Sequence, residues 1–168
     1  MNKILFTFIF ALFFSNIYSQ ESYVKLSFTK SNCPTIIIEK DIIANESTIG
    51  TKKDLILEMS VLKDKPNRKE HKFFNLTENG IVFFTLKNKP TFKTQTELNE
   101  FFGIEKNNEI YVNGYLIENS DFKIATESII EIELIEPDSE NKLERKVINV
   151  WTLTKEERTN GCKKQNAN

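Results

Sequence analysis

The chain has 168 residues and a formal net charge of −1, from 23 Lys and Arg against 24 Asp and Glu. A balance this close to neutral excludes the concentrated basic surface that electrostatic nucleic-acid binding requires. One histidine, two cysteines and five glycines make no recognised zinc spacing and no glycine-rich phosphate loop.

In chain order, residues 1–19 read as a secretory signal peptide. Lys3 gives the positive start, Ile4 to Phe14 the apolar run, and Ser19 the small residue at the cut. The run is about eleven residues, short of the roughly twenty that span a bilayer. The expected localisation is therefore exported, periplasmic or extracellular, with no stable membrane insertion after cleavage. About 150 residues then remain, which suits one ordinary domain or two small ones. An exported chain lives where disulfides persist, so Cys33 and Cys162 invite a bridge, with two unpaired thiols as the alternative.

"SYVKLSF" (Ser22 to Phe28) alternates and predicts a half-buried strand. "TIIIEKDII" (Thr35 to Ile43) is β-branched and predicts a strand with a turn near Glu39 to Asp41. "ANESTIGTKKD" fits a loop or short helix. "LILEMSVL" (Leu55 to Leu62) carries Leu57, Met59 and Val61 on a two-residue period and predicts a strand. Pro66-Asn67 is a turn signal. Asn79-Gly80 opens the strand "NGIVFFTLK". "TQTELNEFFG" is the best helix, with Thr94 and Glu97 as a capping box and Leu98, Phe101 and Phe102 as one apolar face. "EIYVNGYLI" predicts strand–turn–strand around Asn113-Gly114. Ser120 to Ser128 predicts one or two helical turns. "IIEIELI" and "KVINVWTLT" predict the last strands, and residues 156–168 a loose polar tail.

A rhythm recurs along the chain. A shift of 74 aligns Ile36–Ser47 with Ile110–Asp121. A shift of 73 aligns Asp54–Leu62 with Glu127–Ile135. A shift of 67 aligns Ile81–Leu86 with Ile148–Leu153. Three blocks in one order predict a duplication, with a first unit over 20–90 (including an extra N-terminal strand) and a second over 91–155. The expected fold class is α+β, two similar small β-rich units in tandem. Each unit alone has a thin core and gains by burying a face against its twin.

Through "SVLKDK" (Ser60 to Lys65), "NGIVFFTLK", "YVNGYLI" (Tyr111 to Ile117) and "ESIIEIELI" (Glu127 to Ile135), the chain resembles the plug domain of Bacteroidetes-type TonB-dependent outer-membrane receptors. Lys40-Asp41 stands where that family has a glycine turn. The resemblance implies a free-standing, duplicated plug-like protein without the barrel, and so no transport activity.

No constellation of residues commands a reaction. His71 sits among Lys69, Glu70 and Lys72, where a solvated histidine is the ordinary case. Glu131 and Glu133 alternate with apolar residues and are expected to face solvent. Phe73 and Phe74 follow a charged turn and form a candidate binding surface. The expectation is a non-enzymatic binding protein of the cell envelope, without cofactors, that contacts a protein or envelope component, an outer-membrane receptor among the candidates. Addition of a strand at an exposed sheet edge is the expected mode. The alternatives are a small secreted thiol enzyme or hydrolase using Cys33 and His71, and a bridge-stabilised inhibitor or scaffold.

Overall fold

A computed structural model describes residues 22–29, 31–50, 53–66, 71–138, 141 and 143–162. The signal-peptide segment, Asn67 of the expected turn and the last six residues lie outside these.

The chain is α+β, built on two mixed sheets. The strands are β1 (Thr35–Ile38), β2 (Ile42–Ala44), β3 (Ile56–Leu62), β4 (Ile81–Leu86), β5 (Phe92–Thr94), β6 (Ile110–Val112), β7 (Tyr115–Leu116), β8 (Lys123–Ala125), β9 (Glu131–Ile135) and β10 (Val147–Trp151). The helices are α1 (Glu46–Gly50), α2 (Gln95–Phe101) and α3 (Lys155–Asn160). The larger sheet runs β3-β4-β1-β2-β8-β5 and the smaller β7-β6-β10-β9.

Within this arrangement each half of the chain contributes the same four-strand order. In the first half β2-β1-β4-β3 pair antiparallel, parallel and antiparallel. In the second half β7-β6-β10-β9 pair in that same sequence of senses. The hairpin turns correspond as well. Glu39 and Lys40 have φ of 53° and 70°, and Asn113 and Gly114 have 52° and 86°. The first turn thus holds two side chains in the left-handed region, at about 1–2 kcal/mol each. An offsetting bond comes from Glu39, whose Oε1 accepts the Leu86 amide at 3.1 Å. The ladders also correct the third block of the repeat. Val82 stands beside Ile36 and Val61 as Ile148 stands beside Ile110 and Leu134. That is one residue away from the match of Ile81 to Ile148. Both faces of these strands carry apolar residues, so alternation alone could not hold the register.

Burial on both faces explains the unbroken apolar runs. Ile37, Ile43 and Ile81 meet Ile110, Val112, Ile148 and Val150 in a core shared by the two sheets, joined by Leu76, Leu98, Phe122 and Ile124. Ile38, Ile42, Ala44 and Leu86 point the other way, under Ile49 of α1. On the far side of the smaller sheet Leu26 covers Tyr111 and Val147. Each buried aliphatic side chain contributes about 1.5–3 kcal/mol.

The halves 20–90 and 91–155 share a sheet: β8 pairs in parallel with β2, and β5 pairs with β8, so the second half extends the first half's sheet. Three expectations change. Lys123–Ala125 is strand, not helix, because β2 offers it an open edge. Ser22 to Phe28 makes only a bridge, Lys25 to Tyr115. Part of the expected loose tail is α3, started by a capping box between Thr154 and Glu157.

Gly114 shows how tightly the N-terminal segment docks. A Cβ there would lie 1.8 Å from Thr29 Oγ1. Gly114→Ala is expected to destabilise by at least about 1–2 kcal/mol from its conformation alone, and to displace Thr29. Urea unfolding, with the amide shift of Thr29 as local probe, checks this.

Candidate functional site

The residues singled out for chemistry are occupied by structure. Cys33 and Cys162 form a disulfide with Cα atoms 5.1 Å apart, so Cys33 offers no thiol to His71. The His71 ring instead packs on Phe73 at 5.3 Å. Phe74 is fully buried and stacks on Tyr23 at 5.0 Å. Phe73 is half-buried against Phe83 at 5.5 Å. The pair is therefore core rather than a binding surface: the 3₁₀ turn Phe74–Thr77 folds it inward, and the charged residues before it say nothing about that direction.

Glu131 and Glu133 do not stand free in solvent either. Glu133 accepts from the Trp151 indole at 2.6 Å, and Glu131 from Arg158 at 2.8 Å. Arg158 lies over the Trp151 ring at 4.0 Å and donates to the Leu153 carbonyl. This cluster docks α3 on the smaller sheet. Beside it Phe28, Glu133, Leu134, Ile135 and Trp151 line an open groove of about 460 Å³. Arg158 already covers one face of its indole, and the Phe28 ring lies 6.0 Å from the indole at a tilt.

Two polar clusters join the halves. Thr48 Oγ1 and Ser128 Oγ lie 2.7 Å apart, and Asn45 Oδ1 accepts from the amide and hydroxyl of Thr48. All three residues are buried. In the second cluster the Tyr115 hydroxyl donates to Glu78 at 2.5 Å and Lys25 pairs with the same carboxylate at 2.7 Å. Burial pushes the Tyr115 phenol up, and its bond to Glu78 pushes it further. It stays protonated as a donor and cannot serve as a base. Burial also pushes the Glu78 carboxyl up, but the bonds from Lys25 and Tyr115 and the charges of Lys25 and Lys65 outweigh that and hold it low. A depressed carboxyl stabilises the fold above its unfolded value of about 4.3 and loses that contribution as pH falls through the folded value. Tyr115→Phe should move the Glu78 titration upward, followed by NMR of its side-chain carboxyl. An unmoved titration would mean that the hydroxyl does not hold the charge.

Among the described residues, no group of three or more His, Cys, Asp or Glu could hold a metal ion, and no helix is long and apolar enough to cross a membrane.

The most exposed apolar row in a strand is on β3. Among the described residues, it ends the larger sheet and pairs with β4. At seven residues it is the longest strand among those described. Leu57 and Met59 are each 60% exposed and Val61 50%. Behind Met59 and Val61, on the same sheet face, lie the half-buried Phe84 and Val82 of β4. The register shifts between Ile56 and Glu58, a bulge that tilts the strand's start. The periodicity of "LILEMSVL" marks these residues as a strand face. The sheet order, not the period, puts that face in solvent. No family model, no curated protein and no solved structure matches the chain.

Proposed function

We propose that the protein is an exported, non-enzymatic binding protein of the cell envelope. It takes up an extended segment of another polypeptide by strand addition at β3, an outer-membrane receptor being one partner of that kind. The single observation that carries this reading is that β3 ends the larger sheet among the described residues and bears the exposed row Leu57, Met59 and Val61. An edge strand offers unpaired N–H and C=O groups, and alternate side chains supply selectivity. Soluble proteins blunt such edges with charge or shorten them; here the middle of the strand has one charge, Glu58, on its other face. The shared strand order of the two halves supports a duplicated plug-like unit as the scaffold. The cysteine-enzyme alternative has no support, because Cys33 is bridged.

The test compares wild-type and Met59→Lys/Val61→Lys baits in an envelope fraction. Both positions are exposed, so the fold is expected to persist, which circular dichroism checks. A partner retained by wild-type and lost by the double variant is the expected result. Equal retention by both would remove β3 from the function.

A further inference from the structure

We propose that the segment β3 accepts is β3 of a second copy of this chain, paired antiparallel about a two-fold axis at Met59. This rests on the strand-addition reading of the edge and names its partner. The argument is the charge and side-chain match of the strand with itself. With Met59 opposite Met59 of the second copy, Leu57 falls opposite Val61 and Glu58 opposite Ser60. Apolar residues then meet across one face and a carboxylate meets a hydroxyl across the other, so no like charges face each other within the strand.

Neighbouring registers that keep the faces aligned are worse. Centring on Glu58 sets two carboxylates opposite each other. Centring on Ser60 sets Glu58 against Leu62 and leaves Ile56 and Leu57 beyond the end of the partner strand. One register is therefore specified. The two-fold arrangement is closed: it uses the same edge on both copies, so it stops at a dimer rather than growing into a filament. The chain's net charge of −1 offers little repulsion between copies. The dimer would run the two larger sheets into one and place both Met59–Phe84 patches side by side.

The register gives a charge test that a folding defect cannot imitate. Sedimentation velocity on the purified protein, over about 1–100 μM, should show a monomer–dimer equilibrium. Ser60→Lys places a cation opposite Glu58 twice and should tighten the dimer about tenfold. Ser60→Glu should loosen it by a similar factor, and Glu58→Lys/Ser60→Glu should restore it. Wild-type protein that stays monomeric throughout, or a dimer weakened equally by both Ser60 variants, overturns the proposal. If the protein is monomeric while the Met59→Lys/Val61→Lys bait still loses an envelope partner, self-pairing falls and strand addition stands. A dimer indifferent to every β3 substitution removes both.

Discussion

Phe74→Ala is expected to lower the free energy of unfolding by about 3–5 kcal/mol, a fall in Tm of roughly 6–20 °C for a chain of this size. The ring is fully buried and stacked on Tyr23. Its neighbours Asn75, Leu76 and Thr77 are buried too, so the turn that carries them has little freedom to collapse into the gap. Asn75 adds to the effect, because its side chain accepts the Val24 amide and donates to the Leu116 carbonyl. Disturbing this turn therefore loosens the N-terminal segment from β7. Urea unfolding at unchanged m measures the loss. Phe101→Ala is the contrast: that ring is 81% exposed, and the change should stay within about 0.5 kcal/mol. Were Phe74 the binding surface its sequence context suggests, the two substitutions would cost alike.

Opening the disulfide is expected to cost about 2–4 kcal/mol. The bridge spans a sequence separation of 129, and long loops restrict the unfolded chain most in the entropy account of cross-linking. It also ties α3 to the N-terminal side of β1. Close packing at the junction is visible at Gly161, where a Cβ would lie 2.1 Å from Asn32 Oδ1. Once reduced, α3 would depend on its capping box and on Arg158, which pairs with Glu131 and covers Trp151. Cys33→Ser/Cys162→Ser, unfolded in urea beside the wild type with and without reductant, checks this. The wild type should fall to the variant's stability on reduction, and the variant should not respond. Loss of less than about 1 kcal/mol would show that the Arg158 cluster holds the C-terminus by itself.

What lay open in the sequence was local. β-branched runs marked β1, β2, β4, β6, β9 and β10, since such side chains fit a pleated, packed surface. Asn113-Gly114 marked its hairpin because two left-handed residues are needed there. Thr94 with Glu97 marked α2 through a capping box that the structure forms in full. The same Thr-x-x-Glu signal stands at Thr154 and Glu157, and would have marked α3 had the polar composition around it not read as tail.

Tertiary structure decided the rest. β8 is three residues long and is a strand because β2 and β5 pair with it from either side. Ser22 to Phe28 alternates like a strand but meets in β7 a partner of two residues, too short for a ladder. Leu98, Phe101 and Phe102 share the spacing of one helix face, yet Leu98 is buried and Phe101 is not. In a helix of seven residues the packing partner covers only part of that face. The same limit governs β3 and Phe74. Alternation tells which side chains share a face, and nothing in the chain's order tells whether another layer will cover it. That depends on contacts between residues far apart in sequence, so the exposed row of Leu57, Met59 and Val61 became visible only once the sheet order placed β3 at its end.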